Sequence, residues 1–252
     1  MRRIVIAGTA LVVLGVSATA AAASTYNNYS GSRLSISAGS KAPLSVVEKL
    51  QASAPSGSRA APLTNIKLTI YGVKLDVGKL PVCSDSQILS NKTRPLGGCS
   101  KASLIGSGPV HAILGPATDS SSGGTLCNPY LNVFNGGPNK QVFYFYTKSA
   151  NDCGGLTTGA TAPFDGTISY HGGNAVINVP QPPDISTKVA NQSGLYSSLI
   201  GETVGFAKSV AGKTYMQGTA CKGGKRPWSI TYTAHLYTGA NETQTVNGSS
   251  KC

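Results

Sequence analysis

The chain has 252 residues, 21 basic and nine acidic side chains, a net charge of +12, 31 glycines and 14 prolines. That many helix-disfavouring residues excludes a mainly helical protein and suits strands joined by tight turns. The positive charge, spread as lysines over a surface rich in Ser, Thr, Asn and Gly, suits anionic polymers or lipid headgroups.

Residues 1–23 read as an export signal. Arg2 and Arg3 precede an apolar run from Ile4 to Val16, and Ala21-Ala22-Ala23 supplies a small-residue cleavage pattern. The run is shorter than the roughly 20 residues of a spanning helix, and no later run is long enough either. The expectation is therefore cleavage near Ala23, no transmembrane segment afterwards, and a secreted or cell-surface protein. Export also separates the chain from nucleic acid.

Residues 24–62 form a Ser-, Ala- and Gly-rich lead-in, partly disordered or an edge strand, with one candidate helix or strand at Leu44–Leu50. From residue 63 to 252 the pattern becomes β. Ile66, Leu68 and Ile70 alternate with polar residues, and the apolar parity then switches to Val73, Leu75 and Val77, as a slip at Gly72 would produce. Further on, Leu80–Gly108 holds two cysteines and two glycine pairs. Ser84 and Gln87 form a Ser-x-x-Gln capping box, so Asp85–Ser90 is expected as one helical turn, with Asn91–Gly98 looping back to Cys99. Cysteines 16 positions apart do not make a reactive pair, and the glycines lead into a strand instead of a phosphate-binding helix.

Lys140–Lys148 is apolar on both faces, which points to the middle of a sandwich. Residues 166–171 and 174–180 are joined by Gly172-Gly173, a hairpin signal. Near the C-terminus Trp228, Ile230, Tyr232, Ala234 and Leu236 share one face of a strand. The whole reads as an all-β fold: an antiparallel β-sandwich, jelly-roll-like or Ig-like, of about 8–11 strands with one or two short helical turns. Six cysteines in an exported chain favour disulfides. Fifteen connectivities are open; sequential pairing, Cys83–Cys99, Cys127–Cys153 and Cys221–Cys252, is preferred because each pair brackets turn-rich sequence.

The catalytic inventory is short. His171 and His235 follow the polar parity of their strands, and His111 has no partner motif. Asp165 and His171, one hairpin arm apart, come nearest to an acid–histidine pair. No His-Glu-x-x-His, Cys-x-x-Cys, EF-hand spacing or Gly-x-Ser-x-Gly elbow occurs, so neither metal nor cofactor is expected. Binding candidates are Lys92, Arg94 and Lys101 on the disulfide-closed connector, the cluster Lys222, Lys225 and Arg226, and Tyr170 and Tyr237 as rings on which a sugar could stack.

Leu80-Pro81, Cys83, Cys99, Ile105–Gly108, Phe134–Gly137, and Trp228 between Cys221 and Cys252 together form a pattern over residues 62–252. It resembles uncharacterised exported β-proteins of actinobacteria. The resemblance implies an exported, disulfide-bearing β-fold and brings no activity with it. From the residues, the functional expectation is a non-enzymatic exported domain binding anionic or carbohydrate polymers of the cell envelope. The alternatives are a secreted polysaccharide or ester hydrolase, and a secreted partner-binding protein or antagonist. Oligomeric state is left open.

Overall fold

Apolar side chains at every second position, broken by glycine and proline turns, build the strands. The computed structural model describes residues 25–155, 161–189, 194–207 and 209–252; the expected export signal at 1–23 lies outside them. In chain order the strands are β1 (Arg33–Ile36), β2 (Val46–Gln51), β3 (Leu63–Tyr71), β4 (Val73–Leu75), β5 (Leu104–Pro116), β6 (Thr125–Cys127), β7 (Tyr130–Asn135) and β8 (Lys140–Tyr146). They continue as β9 (Phe164–His171), β10 (Asn174–Pro180), β11 (Leu195–Phe206), β12 (Ser209–Val210), β13 (Lys213–Thr214), β14 (Met216–Gly218), β15 (Lys225–His235) and β16 (Asn241–Lys251). A single α-helix, α1 (Asp85–Leu89), occurs among the described residues.

Twelve strands form one antiparallel sheet in the order β1-β2-β11-β5-β7-β8-β9-β10-β3-β15-β16, with β6 beside β5. This corrects the sandwich. A sandwich needs two sheets face to face, whereas here one sheet curls until β1 and β16 meet as a nearly closed barrel. Irregular registers at Leu199/Gly201, Leu104/Gly106 and Thr233/Ala234 supply bends that help it curl. The seam between first and last strands is bridged from side chains. Glu242 accepts the backbone N–H groups of Tyr26 (2.6 Å) and Asn27 (3.0 Å), and Gln244 accepts that of Tyr29 (2.9 Å). The lead-in is thus built into the barrel: it contributes β1 and β2 and buries Tyr29, Leu34, Leu44, Val46 and Leu50.

Alternation places Ile66, Leu68 and Ile70 of β3 and Trp228, Ile230, Tyr232 and Ala234 of β15 in the main core. Tyr29 stacks on Tyr232 with ring centres 4.3 Å apart. Gly248 of β16 lies under the Trp228 indole, where any side chain would meet the ring. At Gly72, φ is +63°, and a methyl group would run into the Ala220 carbonyl. There β3 ends and the chain leaves the barrel as β4, which pairs with β14. Gly172 and Gly173, both at positive φ, close the β9–β10 hairpin.

The connector between η-turn Val77–Lys79 and Cys99 packs on the outside of the barrel. Its capping box is formed: Ser84 Oγ accepts from Gln87 N–H, and Gln87 Oε1 accepts from Ser84 N–H. Ile88 and Cys83 bury themselves against Phe134, Val142 and Tyr144 of β7 and β8. The Tyr144 hydroxyl donates to Lys92 O (2.8 Å), and Asn132 donates to Pro95 O (2.6 Å). That is why β8 is apolar on both faces: one faces the barrel interior and the other faces the connector. The disulfides are Cys83–Cys99, Cys127–Cys153 and Cys221–Cys252, the sequential pairing.

Candidate functional site

The sequence-predicted binding residues fall into separate places. Lys92, Arg94 and Lys101 are exposed on or beside the connector. Lys222 and Lys225 are exposed at the Gly223-Gly224 turn that leads into β15, beside the Cys221–Cys252 disulfide. Lys225 stands opposite Lys222 across that turn and opposite Lys251 in the β15–β16 ladder. Among the described residues, no side-chain carboxylate lies within ion-pair distance of these three lysines.

Arg226 does not join them. It shares strand parity with Trp228 and Ile230, so its side chain is fully buried, with Nη2 donating to Gly39 O at 3.0 Å. Tyr237 is no exposed platform either. Its hydroxyl accepts from Arg59 Nε (3.0 Å) and donates to Ala60 O (3.2 Å), and Tyr26 and Tyr196 flank its ring. Tyr170 is 45% exposed, with its hydroxyl tied to Leu75 N–H at 3.0 Å.

Histidine chemistry is not assembled. His111 Nδ1 bonds Asn128 Oδ1 (2.9 Å), and His235 Nδ1 bonds Asn241 Oδ1 (3.2 Å). Asp165 is paired with Lys140 Nζ at 2.7 Å, and His171 lies at the far end of the same strand, roughly 20 Å away at 3.3 Å per residue. Among the described residues, no group of three or more His, Cys, Asp or Glu side chains could hold a metal ion.

The feature missed in the sequence lies inside the barrel. Glu48 of β2 and Glu202 of β11 are 5% and 6% exposed. In the β2–β11 ladder Glu202 faces Leu50 and Val204 faces Glu48, so the two acids are diagonal neighbours on the inner face. Both line a cavity of about 40 Å³. Its other walls are mostly apolar, including Leu68, Phe143, Phe164 and Val179. Half-buried Phe145, Gln181 and Leu199 stand where the lining reaches partial exposure.

Burial disfavours charge on both acids. It pushes the Glu202 carboxyl up to about 7, and burial followed by the charge of Glu202 holds Glu48 well above the usual carboxylate range. Burial raises the Tyr232 phenol too, with Glu48 the next contributor. Among the described residues, Glu48 Oε1 has no hydrogen-bond partner, nor has Oε1 of fully buried Gln141 on the same cavity. Gln141 donates one N–H to the Tyr215 hydroxyl at 2.7 Å, while its buried Oε1 meets no donor among the described residues. The signal for this site was present in the pattern. Glu48 shares parity with Val46 and Leu50, and Glu202 shares it with Val204 and Phe206. A glutamate on the apolar side of a strand marks a polar group folded inward.

The frame is thus a nearly closed antiparallel barrel with an acid pair inside and an unpaired lysine group at one rim. Comparison with known proteins finds no matching family model, no similar curated protein and no similar solved structure.

Proposed function

We propose that the protein is an exported, non-enzymatic domain that binds anionic polymer of the cell envelope through Lys222, Lys225 and Lys251. The observation that carries this reading is their placement. Three lysines occupy neighbouring register positions beside a disulfide, with no carboxylate partner among the described residues. Like charges directly opposite one another on a sheet are destabilising. A polyanion relieves that repulsion and gains several charge-assisted contacts at once. A hydrolase reading draws less support: the histidines bond asparagines, and the acid pair lines a space with room for only about three waters at 10–15 Å³ each. That is too small for a sugar ring flanked by two catalytic carboxyls.

The test is binding of the purified protein to a uronic-acid polysaccharide in low salt and at about 0.5 M salt, where exposed charges are screened within a few Å. Binding is expected in low salt and lost in high salt. Reversing Lys222, Lys225 and Lys251 to Glu should weaken it at least roughly tenfold, an effect expected of charge-driven contact. Replacing Lys92, Arg94 and Lys101 by Ser should leave it largely intact. Absence of binding in low salt, or equal loss in both variants, overturns the assignment.

A further inference from the structure

The polar groups left free on the cavity wall are all of one kind. Glu48 Oε1 and Gln141 Oε1 are buried without partners. No side chain or backbone group among the described residues donates a hydrogen bond to the Glu202 carboxyl, and no basic side chain lines the space. An ionised carboxylate accepts only, as does the amide oxygen. Once its carboxyls are ionised, the site therefore calls for an occupant rich in donors and poor in acceptors.

Water, with as many acceptors as donors, matches this wall poorly. A calcium ion takes six to eight oxygen ligands, and magnesium needs a near-ideal octahedron; walls that are otherwise hydrocarbon supply too few. An ammonium group has three donors and no acceptor. Its positive charge would neutralise the acid pair, and an aromatic face attracts it further. Phe143 and Phe164, stacked with ring centres 5.4 Å apart, are on the same wall.

We propose that the barrel interior binds a small primary alkylammonium ion, with its head between the Glu48 and Glu202 carboxylates and its alkyl part against Leu68, Phe143 and Phe164. The space sets its size. About 40 Å³ of such volume holds about three waters, each occupying about 30 Å³ in the liquid, which corresponds to roughly two to four carbons. This site is independent of the lysine group at the rim.

Protons compete for the same place. With burial pushing the Glu202 carboxyl up to about 7 and holding Glu48 well above the usual carboxylate range, acid conditions leave both neutral and remove the attraction for a cation. The other titratable groups near them are the phenols of Tyr232 and Tyr29, both pushed upward by burial and neutral across this range. Binding should therefore strengthen as pH rises from 5 to 8.

The experiment is calorimetric titration of the purified protein with methyl-, ethyl- and n-butylammonium, with n-butanol, and with calcium chloride, at pH 8 and pH 5. The expected result is binding of at least one ammonium at pH 8, at least tenfold weaker at pH 5 and absent for the alcohol. Glu202→Gln, checked for folding by circular dichroism, should weaken it at least tenfold, and Glu202→Asp should retain part of it. Lys225→Glu should leave it unchanged. Equal binding of butanol would make the site merely apolar, and binding of calcium alone would make it a metal site. No binding of any probe, or an unchanged Glu202→Gln, would leave two neutral acids with water. Each of these outcomes overturns the proposal.

Discussion

Arg59 is buried in the loop between β2 and β3 with an acceptor for every N–H it has, whereas Glu48 and Glu202 inside the barrel meet no donor among the described residues. The Arg59 guanidinium donates to Tyr237 Oη, Ser121 O, Gly123 O, Pro116 O and Asp119 O, at 2.7–3.3 Å. None of these is a carboxylate. A rigid fork of five donors is matched by loop carbonyls, and the charge is spread over dipoles already in place. The acid pair has the same degree of burial and the opposite treatment. Burial alone therefore does not distinguish a structural charge from a working one. Satisfaction of hydrogen bonds is what separates Arg59 from the acid pair, because a buried polar group left unpaired costs free energy until something pairs it.

The sharpest way to break the contrast is to remove the satisfied member. Arg59→Ala strands four carbonyl oxygens and should destabilise the protein by about 4 kcal/mol, read as a lower urea midpoint. A loss below about 1 kcal/mol would show the network to be ornamental.

Glu202→Gln should act with the opposite sign. Burial raises the carboxyl from 4.5 to about 7. Below about pH 4.5 the folded and unfolded chains both hold the proton, and the stability this group provides is full. Between there and about 7 the unfolded chain releases the proton while the folded chain keeps it, so stability falls by about 1.4 kcal/mol per pH unit. The total is about 3 kcal/mol, and Glu48, also held above the usual carboxylate range by burial, adds a decline of the same sign. Glu202→Gln should flatten this slope and be the more stable protein at pH 8 in the absence of ligand. Urea titrations of both proteins at pH 4.5 and pH 8 measure it; identical slopes would place Glu202 in water.

Gln141→Leu tests the boundary between the two regimes. It removes a free acceptor from the cavity but also the donor to Tyr215, so a loss of about 1–3 kcal/mol is expected, with the orphaned phenol dominating. A gain would mean that the unpaired Oε1 is the costlier group. Smallest is Ser84→Ala on the outer connector, which loses a helix cap worth about 1 kcal/mol. It should leave the pH slope untouched, since nothing there faces the interior.

The same contrast explains what could be read in the sequence. Local rules were legible: the Ser84–Gln87 box, the Gly172-Gly173 hairpin and the face shared by Trp228, Ile230, Tyr232 and Ala234 all depend on residues close in the chain. The barrel was not, because sandwiches and barrels share the two-residue period. Closure depends on which distant strands pair, such as β11 with both β2 and β5. Residues 140–148 gave the right burial for a reason only the fold supplies, since the connector covers the outer face of β8. Arg226 was grouped with Lys222 and Lys225 by composition, although its parity with Trp228 pointed inward. Glu48 and Glu202 obey the same parity rule: each falls on the apolar face of its strand, beside Val46 and Leu50 and beside Val204 and Phe206.

The seam also dictates an order of events. Tyr26 and Asn27 donate their backbone N–H groups to Glu242, 216 and 215 positions later, and Tyr29 donates to Gln244, another 215 apart. A chain synthesised from its amino end must keep its first strand waiting until its last has appeared. Such long-range pairing comes late, since its loop-closure entropy is spent before the contacts repay it. Until then both edge strands stand open to a neighbouring chain. The nascent protein is thus most prone to wrong pairing immediately before it is complete, and the latch at Glu242 is the step that ends that exposure.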